Sequence, residues 1–150
     1  MYKRQNDPED FESYLDKAFS KDTIKQELQN PDSFFYFVHL NGDIAGYFKL
    51  NRALAQTDIH DQDSLEIERI YVDERFQGMK IGGWMVTRII DLAKKEGLKY
   101  LWLGVWEVNQ DAIRFYQSNG FEKFGEHPYY IGKDKQTDWL MRLDITTLRG

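Results

Sequence analysis

The spacing of hydrophobic residues along the chain changes near residue 33. Before it, apolar side chains over residues 11–19 recur at the helical period, which predicts a short first helix with Asp7 as its N-cap and Pro8 at its first position. Ser20 is a suitable N-cap for a second helix, and Pro31 requires that helix to stop near Asn30. The N-terminal part of the chain is therefore predicted to be helical.

From there on, the pattern predicts strands alternating with helices. Two apolar runs, residues 33–40 and 43–51, flank Asn41-Gly42, a dipeptide typical of tight hairpin turns. The later elements predicted are a strand over 65–72, a helix over 82–97, a buried strand over 99–106, a helix over 109–120 and two closing strands over 121–132 and 137–145. This order predicts an α/β (α+β) domain, with a mixed sheet and helices on its faces.

Composition narrows the class of protein. The 150 residues are 41% hydrophobic, which suits one domain with a real core. There is no cysteine, so disulfides, thiolate zinc sites and a cysteine nucleophile are excluded. No apolar run approaches the roughly 20 residues of a membrane span, and no signal peptide is recognisable, so a cytoplasmic protein without membrane attachment is expected. The net charge of −5 argues against nucleic acid as the main partner and favours a cationic one.

The most informative stretch is "RIYVDERFQGMKIGGWMV", residues 69–86, where a predicted strand meets a helix through a loop with three glycines. A P-loop needs Lys and Ser or Thr after its last glycine, but Trp84 follows Gly83, and the spacing of a dinucleotide-binding loop is also absent. What remains is a helix N-terminus, whose unpaired N–H groups and positive dipole end favour an anion. The alternative is a tight turn that uses glycine only for its dihedral freedom.

This stretch resembles motif A of the GCN5-related N-acetyltransferases, the GNAT family, whose loop reads Arg/Gln-x-x-Gly-x-Gly/Ala. Gln77 matches the first position and Gly82 the last, while Lys80 stands where the middle glycine usually lies. A Cβ at that position is expected to require a helical backbone, and the ammonium group would add a phosphate contact. The later segment "LGVWEVNQDAIRFYQSNGFEKFGE" is similar to motif B of the same family.

Within the family, the chain is most similar to bacterial spermidine/spermine acetyltransferases of the PaiA type. Such proteins usually open with a β-strand and a longer first helix, whereas this chain begins "MYKRQNDPEDF". A shortened form without the first strand and a fragment both stay open. The resemblance implies a single GNAT domain over residues 1–150, with a mostly antiparallel central sheet splayed between the strands of motifs A and B.

The resemblance also implies acetyl-CoA as co-substrate and no metal. The main chain of Ile70, Tyr71 and Val72 would pair with the pantetheine amides, as an added strand does. Backbone N–H groups from Gln77 through Gly83 would cradle the pyrophosphate. Asn109, just past the following strand, would reach pantetheine from the other side of the splayed sheet. The cofactor-binding residues implied are Ile70, Tyr71, Val72, Gln77, Gly78, Met79, Lys80, Ile81, Gly82, Gly83, Asn109, Ala112, Phe115 and Tyr116.

For catalysis, Tyr116 matches the tyrosine acid that the family places beside the sulfur, although Phe115-Tyr116 could also be a buried aromatic pair. Glu66 and Glu68, two apart on a strand, point to one face. Glu68 is the first candidate for the base that deprotonates the amine and Glu66 the second. The alternative is that they are solvated edge residues or form ion pairs. The backbone N–H of Val72 is a candidate oxyanion donor.

The leading functional hypothesis is direct acetyl transfer, in a ternary complex, to a primary amine of a small molecule such as spermidine or spermine. The alternatives are acetylation of a peptide N-terminus or lysine, a non-catalytic acyl-CoA-binding module, and an interaction domain without ligand. The acidic segment 58–68 lacks metal-ligand spacing and is either a solvated loop or an attractor for a polycation. His127, Tyr129 and Tyr130 lie on a strand that borders the acceptor cleft in relatives. One of the two tyrosines is expected to pack in the core, and the other to contact the rim of the cleft. A homodimer stays open, since dimers are common among relatives.

Overall fold

The computed structural model describes residues 24–30 and 32–146. The strands in this part are β1 Ile24–Asn30, β2 Ser33–Leu40, β3 Asp43–Arg52, β4 Ser64–Val72, β5 Tyr100–Trp106, β6 Glu122–Ile131 and β7 Asp134–Asp144. The helices are α1 Ile81–Lys95 and α2 Gln110–Ser118. The described strands form one sheet in the order β1-β2-β3-β4-β5-β7-β6, in which only β4 and β5 are parallel neighbours. The predicted mixed, mostly antiparallel sheet is confirmed.

The hairpin between β2 and β3 forms where the sequence predicts it. Asn41 and Gly42 both have positive φ angles, 53° and 87°. That combination matches the right-handed twist of the flanking strands, and Asn and Gly adopt it more readily than other residues.

The helix predicted from Ser20 to Asn30 is wrong over its last part, because Ile24–Asn30 form strand β1, antiparallel to β2. The segment IKQELQN consists largely of residues that favour helices, but this preference is weak. The main chain of β2 offers it a hydrogen-bonding partner, and that pairing overrides the local preference. The helix predicted over 11–19 and the start of the second lie outside the described residues.

The sheet splays apart between β4 and β5. Their pairing comprises Ser64 with Tyr100, Leu65 with Leu101 and Glu66 with Trp102, and it ends there. Beyond this point β4 pairs only with β3, and β5 only with β7, among the described strands. A wedge-shaped gap therefore opens between β4 and β5, as predicted.

The two faces of the sheet are covered differently. On one face, α1 and α2 bury Met85, Ile89 and Ile113 against apolar side chains of the sheet. On the other, Trp102 packs with neighbours that include Ile59, from the loop that connects β3 to β4, residues 53–63. No described helix covers this second face. The gap is thus bordered by helices on one face and by a loop on the other.

A β-bulge at Glu68 changes which side chains of β4 face the helices. Leu50 of β3 pairs with Ile67, and the next residue back, Lys49, pairs with Arg69, so Glu68 is the extra residue. Ile67 packs with the helix-side core before the bulge, and Ile70 and Val72 do so after it. The bulge lets β4 present carboxylates on one face near its middle and still bury apolar side chains on the other face near its end.

Candidate active site

The glycine loop ends in a helix N-terminus with available amides. The first hydrogen bond of α1 runs from Trp84 N to Lys80 O, at 3.1 Å. No residue that the structure describes accepts a hydrogen bond from the amides of Ile81, Gly82 or Gly83. Those amides and the positive end of the helix dipole fit a diphosphate.

Lys80, at the position of the middle glycine in the family pattern, has a backbone conformation that glycine adopts readily. Its φ and ψ angles are 64° and 19°, so the helical backbone expected there is left-handed. This conformation costs a residue with a Cβ roughly 1–2 kcal/mol. The Lys80 side chain is exposed at this turn.

Residues 77–81 offer mainly their backbone to a ligand. Gln77 Nε2 donates to the carbonyl of Val72 at 3.2 Å, which ties the loop back to β4. Gly78 has a φ of 83°. Met79 and Ile81 are buried in the core, so their side chains are not available to a cofactor.

Gly82 is required for the packing of α2 against the start of α1. A Cβ at Gly82 would lie 3.1 Å from the ring of Phe115, which is tighter than ordinary contact. A Cβ at Gly83 would meet nothing within 4 Å among the described residues. The absence of a Cβ at Gly82 thus lets Phe115 of α2 pack closely against the start of α1. At Gly83 there is free space beside the first turn of α1.

Further predicted cofactor residues lie on the two sides of the gap, on β4 and at the start of α2. Ile70 and Val72 of β4 pack into the core, while Tyr71 is half-exposed. Across the gap, Asn109 caps α2, because its Oδ1 accepts a hydrogen bond from Ala112 N at 3.2 Å. Asn109 follows the last residue of β5 by three positions and is exposed.

Tyr116 lies on the helix face and is largely buried. Its ring makes edge-to-face contacts with Phe115, at a centroid distance of 5.2 Å, and with Phe121, at 5.6 Å. The aromatic pair considered as an alternative is therefore present. Burial raises the pKa of Tyr116 to about 12, so its hydroxyl stays protonated at neutral pH.

On the other face of the sheet, a cleft of about 360 Å³ lies beside the gap. Its lining combines carboxylates with aromatic and small residues. The residues that line it are Thr57, Asp58, Glu66, Glu68, Trp102, Gly104, His127, Tyr129, Asp138 and Leu140. Glu66 and Glu68 thus share one face, as predicted, and His127 and Tyr129 border the cleft. Tyr130 is exposed and does not line the cleft, and neither tyrosine belongs to the buried core of the described residues, so the core position expected for one of them is wrong.

Glu66 is almost fully buried, at 3% exposure. Its carboxylate accepts hydrogen bonds from the backbone N and Oγ1 of Thr57 and from Asn51 Nδ2. The two bonds from Thr57 join Glu66 to the loop over residues 53–63, which covers this face. Glu66 therefore holds that loop in place over the cleft.

Glu68 is partly exposed and ion-paired. Lys49 Nζ lies 3.0 Å from its Oε1, and Asn51 Nδ2 donates to the same oxygen at 2.8 Å. Burial raises the pKa of Glu68, but the bonds from Asn51 and Lys49 outweigh it, so the net shift of this pKa is downward. Glu68 therefore stays ionised at neutral pH.

Asp138 is placed differently from these glutamates. No hydrogen bond or ion pair joins its carboxylate to any residue that the structure describes. Burial raises its pKa, against the opposing effect of His127. The His127 ring is itself bonded through Nδ1 to Asp58, at 2.7 Å.

The sequence reasoning did not select Asn51, Gly104 or Asp138. Asp138 had one detectable signal, an acidic residue inside a predicted strand, where Asp is disfavoured. Asn51 and Gly104 carry no such signal, since their importance depends on neighbours that are distant in sequence.

Within residues 24–30 and 32–146, no group of three His, Asp or Glu side chains is arranged to hold a metal ion. No described helix is both long and apolar enough to cross a bilayer.

Comparison with known proteins identifies the family. Residues 2–121 match the Acetyltransferase (GNAT) family. An N-acetyltransferase of Lactobacillus delbrueckii subsp. lactis, without assigned substrate, is 40% identical over 143 residues, which cover 93% of this chain and 80% of that protein.

Two solved structures share the fold at low sequence identity. The ribosomal-protein-S18-alanine N-acetyltransferase of Escherichia coli has a TM-score of 0.65 and 22% identity, covering 98% of this chain and 94% of that one. The PaiA N-acetyltransferase of Thermoplasma acidophilum, solved in complex with coenzyme A, has a TM-score of 0.59 and 21% identity, covering 75% and 61%. The chain therefore belongs to the GNAT family of acetyltransferases and is an acyltransferase that uses acetyl-CoA as co-substrate.

Proposed function

We propose that this enzyme acetylates a primary amine of a small cationic molecule, a polyamine such as spermidine or spermine. The observation that carries the proposal is the charge of the acceptor cleft, which Asp58, Glu66, Glu68 and Asp138 line. Carboxylates beside a partly enclosed cleft favour a ligand that carries several positive charges.

The size of the cleft supports a small acceptor. Its volume of about 360 Å³ lies near the lower end of small-molecule sites, roughly 300–1,000 Å³. An extended polyamine chain is thin enough for such a space. A peptide acceptor, the main alternative, would need an open groove, and the loop over residues 53–63 narrows this one.

The donor, acetyl-CoA, would bind along the gap between β4 and β5, on the face of the sheet that the helices cover. The amides of Ile81, Gly82 and Gly83 would hold its diphosphate, and Asn109 would contact pantetheine from the opposite side of the gap. The gap joins the helix face to the acceptor cleft, so an amine in the cleft can reach a thioester held in the gap. Direct attack in a ternary complex follows, with the Val72 N–H as proposed oxyanion donor.

Tyr116 is proposed to donate a hydrogen bond to the departing sulfur. Its pKa of about 12 exceeds that of a thiol, about 8.5, so complete proton transfer would cost roughly 5 kcal/mol. A hydrogen bond to the developing thiolate has no such cost. Tyr116 would thus stabilise the thiolate, which takes its proton from the attacking nitrogen.

Glu68 is proposed to form part of the anionic wall that binds the acceptor ammonium. Its lowered pKa keeps it charged, which suits an ion pair. Its predicted role as base, and that of Glu66, stay predictions. The cytoplasmic location, the single domain over residues 1–150 and a homodimer also stay predictions.

A panel of amines tests the proposal. Purified enzyme and acetyl-CoA would be incubated with spermidine, spermine, a lysine peptide and an aminoglycoside, and free thiol release followed. We expect the highest kcat/KM for a polyamine. Activity confined to the peptide or the aminoglycoside would overturn the acceptor class, and CoA binding without transfer to any amine would support a non-catalytic module.

A further inference from the structure

The ionisable groups that line the acceptor cleft differ in what already binds them. Glu66 accepts three hydrogen bonds, and Glu68 is paired with Lys49. His127 is bonded to Asp58. Asp138 alone among these lining groups has a carboxylate with no hydrogen bond or ion pair to a described residue. A general base needs lone pairs free to accept a proton from the substrate, and Asp138 meets that condition best.

Asp138 is also close to the gap where the thioester would lie. In the β5–β7 register, Asp138 stands opposite Trp106 and Leu140 opposite Gly104. A Cβ built on Gly104 would lie 3.5 Å from Asp138 Oδ2. The carboxylate thus lies beside Gly104 of β5. Gly104 is two residues beyond Trp102, where the pairing of β4 with β5 ends.

His127 is farther from the gap than Asp138. It lies on the edge strand β6, directly opposite Asp138 in the register of β6 with β7. Adjacent strands are spaced by about 4.8 Å. His127 is therefore one strand further from β5 than Asp138 is. Its hydrogen bond to Asp58 connects β6 to the loop over residues 53–63.

We propose that Asp138 is the general base that deprotonates the acceptor amine, and that Gly104 provides the space in which the amine approaches it. This inference rests on the proposed amine acetylation. Glu68, on the β4 side of the same cleft, would hold the ammonium group from the opposite wall.

The proton balance is as follows. The ammonium gives one proton to the Asp138 carboxylate, which later releases it to solvent. The neutral nitrogen attacks the thioester carbonyl, so a C–N bond forms and the C–S bond breaks. The second nitrogen proton goes to the thiolate beside Tyr116. The products are the N-acetylated amine, coenzyme A and one proton.

The charged surroundings of Asp138 favour this role. From β6 it is faced by His127 and Tyr129, and from β4 and the loop by Glu66, Glu68 and Asp58. The β5 residues that line the cleft, Trp102 and Gly104, carry no ionisable side chain. Burial raises the pKa of Asp138, and a carboxylate of higher pKa is a stronger base.

Parallel kinetics of Asp138→Asn and Glu68→Gln test the assignment. For an amine that is protonated at the assay pH, Asp138→Asn is expected to lower kcat on the order of 100-fold or more, with acceptor KM changed by less than about threefold. Glu68→Gln is expected to raise KM and leave most of kcat. Circular dichroism and CoA affinity should match wild type in both variants.

An acceptor whose amine is already neutral at the assay pH separates a base from a binding group. Such an amine needs no deprotonation before attack, so Asp138→Asn should lower its kcat much less. Asp138→Glu, which keeps the carboxylate, should recover part of the activity lost in Asp138→Asn. Gly104→Ala fits the backbone without a clash and should raise KM for the acceptor while CoA affinity stays unchanged.

Three results would overturn the assignment. They are a kcat of Asp138→Asn within about threefold of wild type, a loss confined to KM, and a large kcat loss in Glu68→Gln alone. A wild-type enzyme that acetylates no amine would instead reject the proposed function, and this result differs from an active wild type with an equally active Asp138→Asn.

Discussion

At the scale of single residues, Asn51 determines how the acidic cleft is arranged. Its side-chain amide donates to Glu66 Oε1 at 3.0 Å and to Glu68 Oε1 at 2.8 Å. Ser33 Oγ donates to Asn51 Oδ1 at 2.8 Å, which fixes the orientation of the amide. An amide nitrogen has two hydrogens, so one side chain holds both glutamates on the same wall.

Replacing Tyr116 by Phe tests the hydrogen bond to the departing sulfur. We expect kcat to fall roughly 10- to 100-fold, which corresponds to the loss of a hydrogen bond to a charged group. The aromatic contacts with Phe115 and Phe121 do not involve the hydroxyl, so the melting temperature should change little. Thiol release and thermal unfolding measure the two effects.

Tyr130→Phe is a matched control, because Tyr130 is 67% exposed and does not line the cleft. It should behave as wild type in both measurements. A Tyr116→Phe enzyme whose kcat stays within twofold of wild type would show that the tyrosine only packs.

At the scale of secondary-structure elements, the close approach of β3, β4 and α1 depends on Gly46. A Cβ there would lie 2.2 Å from the carbonyl oxygen of Tyr71 and 2.7 Å from Met85 Cε. A backbone atom cannot move away as a flexible side chain can. Gly46 therefore allows β3 to support the part of β4 that borders the gap.

Gly46→Ala should destabilise the fold and displace the edge of β4. Overpacking of this kind costs about 1–3 kcal/mol, and we expect weaker CoA binding as well. Denaturant unfolding and calorimetric titration with CoA would measure both. Gly125→Ala is the control, since a Cβ at Gly125 makes only ordinary contact with Leu140, at 3.5 Å. Equal stability of the two variants would contradict the predicted clash.

The turn from the loop into α1 depends on Lys80 in two separable ways. Lys80→Gly removes the left-handed strain and the charge, whereas Lys80→Gln removes only the charge. We expect Lys80→Gly to gain up to about 1 kcal/mol of stability and Lys80→Gln to gain little.

If the ammonium contacts phosphate, both variants should bind CoA several-fold more weakly than wild type, and the difference should shrink at high salt. Thermal unfolding and CoA titration distinguish the two effects. Unchanged CoA affinity in both would remove Lys80 from the donor site.

At the scale of the whole molecule, charge should govern the approach of the acceptor. The chain carries a net charge of −5, and the cleft is acidic. Raising the ionic strength from about 0.1 M to about 1 M shortens the Debye length from about 10 Å to about 3 Å. We expect kcat/KM for spermidine to fall several-fold over this range.

A monoamine of similar size should lose less under the same conditions, because it carries a single charge. The change should appear in kcat/KM, while kcat at saturating acceptor stays nearly constant. A spermidine kcat/KM that does not depend on salt would contradict electrostatic attraction by the cleft.

The local signals in the sequence predicted much of this architecture. Asn41-Gly42 predicted the first hairpin, and Asn109 predicted the start of α2, because these residues act on their immediate neighbours. The same reasoning failed for Ile24–Asn30, where the pairing with β2 replaced a helix that local propensity favours. Propensities describe an isolated segment, and a neighbouring strand adds hydrogen bonds that they do not include.

The sequence by itself determined the family, the glycine loop and the alternation that places Glu66 and Glu68 on one face. Only the tertiary structure decided which carboxylates are already bound. The alternating pattern of a strand indicates which face each side chain is on, but not which residues bind it. The sequence therefore does not show that Glu68 is bound by Lys49 and Asn51, whereas Asp138 has no such partner among the described residues. Proton transfer depends on such partners, because hydrogen bonds and burial set the pKa of each group, and these come from residues far apart in the chain.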